Sequence, residues 1–407
     1  MQFGLLGKKL GHSYSPLIHK ALGSWPYELC EKSPEQLSSF LEEASFRGLN
    51  VTIPYKKDVI PFCKKLSPAA QTIGAVNTLV KQSDGSLIGH NTDYFGFKFM
   101  VDCSGLQVNN KKVLVLGTGG ASLTVQAVLK ELKAEVIVIS RSGENNYTNL
   151  SKHKDASVIV NATPVGMYPN TGISPVNLDL FPHLEGVLDI VYNPARTQLL
   201  MDAEEKKLTA VNGLWMLVAQ AWESAQWFLG KEIPKSEIYR IHKSIKSQAE
   251  NIILIGMPGS GKSTLGKLLS EKTGKKFIDS DEEIVKRAGM SIPEIFSSKG
   301  EAEFRAIEIQ VLKELGMQSG LIIATGGGCV TREENYVSLH QNGTIFWLQR
   351  DIHNLPTEGR PLSQTHSLQD MYAARYPLYN KFGDAVIDNN RDPEMSVHDI
   401  LSWEENQ

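Results

Sequence analysis

Short apolar runs alternate with helix-like patterns along much of the chain. Between residues 111 and 210, helical patterns separate the apolar runs VLVLG, EVIVIS, SVIVNAT and GVLDIVY, as is typical of parallel strands joined by crossover helices. Before residue 111, runs such as NVTI and AVNTLV alternate with patterns such as EQLSSFLEEA. The segment at 213–230, GLWMLVAQAWESAQWFLG, predicts a helix with an apolar face. We therefore predict an α/β fold whose first part has two lobes with a cleft between them, one lobe being a doubly wound sheet.

Two glycine-rich loops follow apolar strands at distant points of the chain, KKVLVLGTGGAS at 111–122 and NIILIGMPGSGKST at 251–264. Each such loop normally opens its own nucleotide-binding unit. The stretch at 231–250 is polar and contains a proline, which puts the predicted domain border near 245–250. We predict three parts: a first lobe over 1–100 completed by helices of about 213–245, a Rossmann-type dinucleotide lobe over 101–212, and a P-loop domain with a parallel sheet over 250–407.

The composition is that of ordinary globular protein. The chain has 407 residues, of which 41% are hydrophobic and 21% charged, and its net charge is −3. No basic excess is present to bind a phosphate backbone, so we expect no nucleic-acid partner. The first residues carry no signal-peptide pattern and no run of 18 apolar residues occurs, so we expect a cytoplasmic protein that does not enter a membrane. The four scattered cysteines, Cys30, Cys63, Cys103 and Cys329, predict reduced thiols and no metal cluster. The sequence does not define an oligomeric state.

The first glycine loop has the features of a dinucleotide site. Gly117 and Gly119 permit a tight turn and a close approach to a pyrophosphate, and Ser122 holds the third small position. An NAD site places an acidic residue at the end of the next strand, where this chain has Ser140-Arg141-Ser142. An arginine with two hydroxyls suits the 2′-phosphate of NADP(H). The alternatives are a turn without a ligand and, for Arg141, a solvated loop cation.

Eight motifs over residues 1–245 resemble, in order, those of shikimate dehydrogenase. They are GHSYSPLIHK (11–20), GLNVTIPYKK (48–57), GAVNTLV (74–80), HNTDYFG (90–96), GTGGAS, NATPVGM (161–167), DIVYNPARTQLL (189–200) and NGLWMLVAQ (212–220). The resemblance implies NADPH-dependent reduction of 3-dehydroshikimate to shikimate in the cleft. The chain departs from the family pattern at one point. The family usually has Asn-Arg-Thr followed by a further basic residue, where this chain has Ser140-Arg141-Ser142.

Reducing a ketone requires a proton donor at the developing alkoxide, and a lysine beside a carboxylate can supply one. Lys56 and Asp93 fit that role. Taken alone, Lys56 could be a solvated cation and Asp93 a helix N-cap. The resemblance implies substrate contacts from Ser13 and Ser15 to the carboxylate, from Asn50, Thr52, Asn77 and Gln220 to the ring hydroxyls, and from Tyr192 at the cleft rim. It implies cofactor contacts from Gly117, Gly119, Gly120, Ala121, Ser140, Arg141, Ser142 and Gly213.

The second glycine loop, GMPGSGKS at 256–263, matches G-x-x-x-x-G-K-S in full. In such a loop backbone amides cradle phosphate, Lys262 reaches the β- and γ-phosphates, and Ser263 can hold Mg²⁺. We therefore predict an ATP site at Gly259, Ser260, Gly261, Lys262, Ser263 and Thr264.

The motifs that follow the P-loop, FIDSDEEI (277–284), GEAEFRAIE (300–308), ATGGGCV (324–330), GRPL (359–362) and ARYPLY (374–379), resemble shikimate kinase. The resemblance covers about 250–400 and implies transfer of the ATP γ-phosphoryl group to the 3-hydroxyl of shikimate. It implies that Asp279 helps to hold Mg²⁺, that Asp281 accepts the hydroxyl proton and that Arg360, in a lid, neutralises the transferred group. It also implies substrate contacts from Arg305, Gly327, Gly328 and Arg375.

Several alternatives remain open at this point. Ser280 and Glu283 have capping-box spacing, so the neighbouring acids could merely complement a helix start, and Arg305 could be a surface helix partner of nearby glutamates. The segment 351–359 before Arg360 is short and acidic and leaves the adenine contact unassigned. The sequence thus predicts a bifunctional enzyme in which one half makes the substrate of the other. The alternative is a quinate/shikimate dehydrogenase with a nucleotide-binding regulatory module.

Overall fold

The computed structural model describes residues 2–11, 13–43, 45–355 and 368–405. The chain divides into two compact units. The first comprises Met1–Tyr192 and Leu199–Ile245, and the second comprises Asn193–Gln198 and Lys246–Gln407. The short segment Asn193–Gln198 therefore groups with the second unit, although it falls within the stretch 101–212 that we predicted as a single lobe.

The first unit begins with a six-stranded sheet in the order β2-β1-β3-β5-β6-β4. Strand β1 pairs in parallel with β2 and β3, whereas β5 runs antiparallel to both of its neighbours. Its strands are β1 (Phe3–Gly7), β2 (Tyr27–Glu31), β3 (Gly48–Val51), β4 (Cys63–Leu66), β5 (Thr78–Lys81) and β6 (Leu87–His90). Its helices are α1 (Ser15–Ala21), α2 (Pro34–Glu43), α3 (Pro68–Ile73) and α4 (Asp93–Ser104).

A second sheet of five parallel strands follows in the order β11-β10-β9-β7-β8. Its strands are β7 (Lys112–Leu116), β8 (Glu135–Ile139), β9 (Val158–Asn161), β10 (Gly186–Asp189) and β11 (Thr209–Asn212). Helices α5 (Gly120–Glu131) and α6 (Gln198–Glu205) follow strands of this sheet. Helix α7 (Leu214–Leu229) packs instead on α1 and α4 of the first lobe, and α8 (Ser236–Ala249) joins the same core. The polar stretch 231–250 is mostly α8, whose Ile238, Ile241 and Ile245 recur on one face and are buried there.

The second unit contains five parallel strands in the order β13-β14-β12-β15-β16. They are β12 (Asn251–Ile255), β13 (Lys276–Asp279), β14 (Leu321–Ala324), β15 (Gly343–Gln349) and β16 (Ala385–Asp388). The helices are α9 (Lys262–Thr273), α10 (Ser280–Ala288), α11 (Ile292–Gly316), α12 (Glu333–His340), α13 (Leu368–Phe382) and α14 (Pro393–Glu405). The predicted α/β class with parallel sheets is confirmed.

The central parallel strands are largely apolar because helices cover both faces of the sheet, whereas an edge strand such as β16 is partly exposed. In β12, Ile252, Ile253, Leu254 and Ile255 have no exposed surface. The polar residues of the sites therefore lie in the loops at the carboxyl ends of the strands, where α/β proteins bind ligands. Within the described residues no helix is long and apolar enough to cross a membrane, and no group of three potential metal ligands occurs among the His, Cys, Asp and Glu side chains.

Candidate active sites

The first unit contains a cavity of about 210 Å³. The residues predicted for substrate contact, for proton transfer and for the cleft rim all line this cavity, as does Gly213 of the predicted cofactor contacts. They are Ser13, Ser15, Asn50, Thr52, Lys56, Asn77, Asp93, Tyr192 and Gln220. The remaining wall is apolar and was not predicted from the sequence: Leu5, Val51, Ile190, Met216 and Leu217. The cavity thus combines a polar set suited to a polyol with apolar surface suited to a ring.

Lys56 and Asp93 form an ion pair inside this cavity. Lys56 Nζ lies 2.6 Å from Asp93 Oδ2, and the two side chains are only 22% and 12% exposed. Asp93 is the first residue of α4, but the N-cap position is Thr92 and no side chain caps the helix. The carboxylate of Asp93 is therefore directed at the ammonium group, which does not support the N-cap and solvated-cation alternatives.

Buried hydrogen bonds orient the amide side chains of the cavity. The Tyr27 hydroxyl donates to Asn50 Oδ1 at 2.8 Å, and Asn50 Nδ2 donates to Thr78 Oγ1 at 3.1 Å. Asn77 accepts from the Thr92 backbone amide at 2.7 Å and donates to Thr92 Oγ1 at 3.0 Å. The supporting residues were not predicted, because they come from strands and turns that approach one another only in the folded sheet.

The first glycine loop has room for a phosphate. Gly117 has a φ of +102°, and a Cβ there would lie 2.8 Å from Thr163 Cγ2. A Cβ on Gly119 or Gly120 would meet nothing within 4 Å, so open space lies before the start of α5. Ser122 Oγ donates to the Gly117 carbonyl at 2.6 Å, which explains the hydroxyl at the third small position. The residues fit a dinucleotide phosphate at a helix N-terminus, with Ala121 in the first turn of that helix.

The segment after β8 lies beside this loop, because the Gly117 amide donates to the Ile139 carbonyl at 2.8 Å. Ser140 Oγ accepts the Gly143 amide at 2.7 Å and so closes a tight turn. Arg141 and Ser142 are exposed on that turn. The fold thus brings the predicted 2′-phosphate residues to the same sheet edge as the glycine loop.

The second unit contains a cavity of about 750 Å³ over the carboxyl ends of its strands. The predicted residues that line it are Gly259, Gly261, Lys262, Ser263, Thr264, Asp279, Asp281, Arg305, Gly327, Gly328 and Arg375. Ser260 is fully buried and is not among the lining residues. Arg360, the predicted lid residue, lies outside the described residues.

The P-loop has the backbone that a phosphate cradle requires. Gly256, Gly259 and Gly261 have φ values of +145°, +87° and +95°, a region that residues with a Cβ rarely adopt. A Cβ on Gly256 would lie 2.7 Å from the Leu348 carbonyl oxygen. Glycine is therefore required here by conformation and, at Gly256, also by close packing.

Two polar side chains of the P-loop, Lys262 and Ser263, have defined hydrogen-bond partners at this cavity. Lys262 Nζ donates to the carbonyls of Gly256 and Met257 at 2.9 Å each, and so curls over its own loop. Ser263 Oγ donates to Asp279 Oδ2 at 2.7 Å. A hydroxyl and a carboxylate in contact are oxygen ligands of the type that Mg²⁺ takes together with phosphate.

Asp279, not Ser280, caps α10. Its Oδ1 accepts the Asp281 amide at 3.0 Å, while Ser280 Oγ accepts the Gly326 amide at 3.2 Å. The capping box of Ser280 with Glu283, which was the alternative to a catalytic role, is therefore not formed, because Ser280 faces inward to the glycine loop. Burial, and next the charge of Asp279, raise the pKa of Asp281. A carboxylate with a raised pKa is a stronger proton acceptor.

Arg305 is a buried member of this cavity. It is 3% exposed and donates from Nη1 to Glu308 Oε2 at 2.8 Å and from Nη2 to Glu301 Oε1 at 3.2 Å. Glu308 has no exposed surface, and burial raises its pKa. Arg305 does pair with neighbouring glutamates, but not at the surface. Glu308 was missed as a site residue, although its i,i+3 spacing from Arg305 was a usable signal.

The triple-glycine loop contacts both arginines. Arg375 Nη1 donates to the Gly327 carbonyl at 3.2 Å. A Cβ on Gly328 would lie 2.3 Å from Arg305 Nη2, and one on Gly327 would lie 2.6 Å from a Pro258 side-chain carbon. Gly328 is thus needed for the close approach of the loop to the Arg305 guanidinium, and Gly327 for its close approach to Pro258.

Arg350 is a cation of the cavity that sequence reasoning missed. It follows β15, and its Nη1 donates to the Gly259 carbonyl at 3.4 Å. Its Nε is buried without a partner among the described residues. A basic residue at the carboxyl end of a strand that pairs with β12 was the available signal.

These sites define two classes of enzyme on one chain: a two-lobed dinucleotide-dependent oxidoreductase and a P-loop phosphotransferase. Comparison with known proteins identifies a family within each of these two enzyme classes. Residues 5–79 match the shikimate dehydrogenase substrate binding domain, and residues 258–404 match shikimate kinase. The chain belongs to the shikimate dehydrogenase family and carries a shikimate kinase domain after it, so the predicted fusion is confirmed.

The individual relatives align with the dehydrogenase part. The shikimate dehydrogenase (NADP(+)) of Clostridium perfringens strain SM101 is 35% identical over 266 residues, which are 60% of this chain and 98% of the relative. A chorismate mutase/shikimate 5-dehydrogenase fusion from Clostridium acetobutylicum is similar in structure, with a TM-score of 0.56 and 37% identity over 60% of this chain and 96% of that one. Thermus thermophilus shikimate 5-dehydrogenase, solved with NADP(H) and shikimate, has a TM-score of 0.55 and 34% identity over 60% and 99%.

Proposed function

We propose that this chain catalyses two consecutive reactions, the NADPH-dependent reduction of 3-dehydroshikimate to shikimate and the ATP-dependent phosphorylation of shikimate to shikimate 3-phosphate. These are steps in the biosynthesis of chorismate and the aromatic amino acids. The observation that carries the proposal is that each unit has one cavity lined by nearly all of the side chains its reaction requires.

In the dehydrogenase, the chain supplies the proton and the binding groups. NADPH, when bound at the first glycine loop, supplies the hydride. Lys56 donates a proton to the developing alkoxide, and Asp93 holds the ammonium in position at 2.6 Å. The hydroxyls of Ser13 and Ser15 donate to the substrate carboxylate. The oriented amides of Asn50 and Asn77, with Thr52 and Gln220, bind the ring hydroxyls.

The cofactor preference that we propose is NADP(H). Arg141 is exposed on the turn beside the glycine loop, where its guanidinium group is available to a 2′-phosphate. Ser140 stands where an NAD site places a carboxylate, and so does not supply an acceptor pair for a ribose 2′-hydroxyl. This favours NADPH over the alternative of NAD-dependent quinate oxidation.

In the kinase, ATP binds the P-loop with Lys262 at its β- and γ-phosphates. Mg²⁺, held through Ser263 and Asp279, would neutralise phosphate charge during transfer. Asp281 accepts the proton of the attacking 3-hydroxyl, for which its raised pKa is suited. Arg305 and Arg375 bind the carboxylate with planar, multiple donors. The role of Arg360 rests on the sequence resemblance alone.

The test is a pair of assays on the purified full-length chain. NADPH oxidation with 3-dehydroshikimate and ADP formation with shikimate and Mg²⁺-ATP are both expected. Lys56→Ala and Lys262→Ala are matched controls, since each removes one activity and leaves the other. Absence of ADP formation would favour the regulatory-module alternative, and a preference for quinate with NAD would contradict the assigned oxidoreductase reaction. The cytoplasm remains the compartment that we expect, in keeping with the four cysteines, which form no disulfide among the described residues.

A further inference from the structure

A second cavity, of about 590 Å³, lies in the first unit next to the Lys56–Asp93 pair. Asp93 lines the substrate cavity, whereas the residues on either side of it, Thr92 and Tyr94, line the second one. Helix α7 is divided in the same way, because Gln220 lines the substrate cavity and Glu223, one turn later, lines the second. Asp93 and α7 therefore separate the two cavities.

The second cavity holds two buried acceptors that have no hydrogen-bond partner among the described residues. They are Asn91 Oδ1 and Glu223 Oε2. Asn91 is 4% exposed, and its Nδ2 donates to the Ala75 carbonyl at 2.9 Å, which fixes the orientation of the amide. Buried acceptors require a donor, which a protonated carboxyl or a water molecule supplies. Burial, and next the negative charge of Asp93, raise the pKa of Glu223 to about 7.

The other titratable groups around Glu223 are accounted for. His90 stacks on Trp227 with ring centroids 4.2 Å apart, and burial lowers its pKa to about 4, so it is neutral near pH 7. Glu131 is half exposed and pairs with Lys98 at 2.6 Å. Tyr94 completes the set. Asp93 is therefore the charged group to which Glu223 is coupled.

We propose that Glu223 is a positioning residue for proton supply, which returns a proton through Asp93 to Lys56 after each reduction and takes its own proton from water in the second cavity. This inference rests on the proposed dehydrogenase reaction. A ring substrate fills much of a cavity of about 210 Å³, so the side of Lys56 that faces the substrate has little access to water. The second cavity reaches the surface at Trp227, which is 48% exposed.

The proton transfers balance over one turnover. The Lys56 ammonium gives a proton to the alkoxide and becomes an amine. The Glu223 carboxyl gives its proton, through water, to the Asp93 carboxylate, and Asp93 passes it to the Lys56 amine. The Glu223 carboxylate is then reprotonated from solvent. Each step breaks one O–H or N–H bond and forms another, so no step changes an oxidation state. The two electrons that reduce the ketone come with the hydride from NADPH.

The experiment compares the pH dependence of kcat for 3-dehydroshikimate reduction in the wild type, Glu223→Gln and Glu131→Gln. Glutamine has nearly the same shape but cannot carry a proton, and Glu131→Gln removes a carboxylate of the same cavity that is engaged with Lys98. We expect wild-type kcat to fall as the pH rises through about 7, since Glu223 then loses its proton. Glu223→Gln should be about tenfold slower below this pH and show no inflection there. Glu131→Gln should retain the wild-type profile.

A merely structural role predicts a different outcome. In that case Glu223→Gln would change KM for 3-dehydroshikimate or thermal stability and would leave the inflection of kcat near pH 7 in place. If Glu223 supplies protons, Glu223→Asp should retain part of that inflection, because aspartate also carries a titratable carboxyl group. A wild-type inflection that persists in Glu223→Gln overturns the inference while the proposed function stands. A wild-type chain that does not reduce 3-dehydroshikimate overturns both.

Discussion

Replacing Gly328 by alanine tests the proposed shikimate site of the kinase with a single methyl group. Gly328 has a φ of −99°, so alanine adopts its backbone conformation without strain. The added Cβ would, however, lie 2.3, 2.6 and 2.7 Å from Nη2, Nη1 and Cζ of Arg305. The perturbation is thus directed at one guanidinium group.

The size of the effect follows from that distance. Carbon and nitrogen atoms pack at about 3.5 Å, so the guanidinium must move by roughly 1 Å. Because Arg305 is 3% exposed and bonded to Glu308 at 2.8 Å, it has little room to move without breaking these contacts. A hydrogen bond to a charged group contributes about 1.5–3 kcal/mol. Losing one such bond to the substrate carboxylate should raise KM for shikimate about 10- to 100-fold.

The assay is ADP formation at varied shikimate, with KM for ATP measured in parallel and expected to be unchanged within about twofold. The dehydrogenase activity of the same molecule is an internal control for folding. Thr331→Ala is the matched variant, because it removes the hydroxyl that donates to the Gly328 carbonyl at 2.7 Å without adding bulk toward Arg305. An unchanged KM for shikimate in Gly328→Ala would refute the carboxylate role of Arg305.

Three further predictions address the two catalytic centres. Lys56→Ala and Asp93→Ala should each lower the rate of NADPH oxidation by about 100-fold or more, with ADP formation unchanged; unaltered rates in both would rule out the pair as proton donor. Arg141→Ala should raise KM for NADPH and leave that for NADH nearly constant, whereas an equal effect on both would return Arg141 to the role of a solvated loop cation. Lys262→Ala should abolish ADP formation while chromatography shows shikimate accumulating from 3-dehydroshikimate; continued phosphorylation would contradict the P-loop assignment.

The parts of the fold that sequence could predict are those with a local signal. Parallel strands appear as continuous apolar runs, and phosphate loops appear as glycines at fixed spacing, so the two parallel sheets and both loops were predictable. The antiparallel β5 of the first sheet was not, because its direction depends on which neighbour it pairs with. Helix α8 was predicted only as part of the helices of about 213–245, and its last turn falls within the predicted border at 245–250 because that turn is mostly polar.

The site residues also differ in whether a contiguous motif predicts them. Lys262 and Ser263 belong to a contiguous motif, and their positions follow from the loop itself. Glu308, Arg350 and Glu223 reach their cavities from a long helix, from the end of a strand and from the far side of α7. The local signals at Glu308 and Arg350, a helical i,i+3 spacing and a position at a strand end, are common on surfaces as well, and Glu223 has none; burial and the approach of distant groups define the chemistry of all three residues.

The two cavities differ in their charged side chains, although the proposed substrates, 3-dehydroshikimate and shikimate, are nearly the same molecule. Reduction adds a hydride and a proton to a ketone, and the charged side chains that we describe in the first cavity are one cation and one anion, Lys56 and Asp93. Phosphorylation brings the polyanion ATP against an anionic acceptor, which costs repulsion unless cations offset it. The described charged residues of the second cavity are accordingly four cations, Lys262, Arg305, Arg350 and Arg375, with the acids Asp279, Asp281 and Glu308. In the sites that we propose, the same carboxylate would be bound by neutral hydroxyls in the first and by guanidinium groups in the second. On this reasoning, raising the ionic strength should weaken shikimate binding in the kinase more than 3-dehydroshikimate binding in the dehydrogenase.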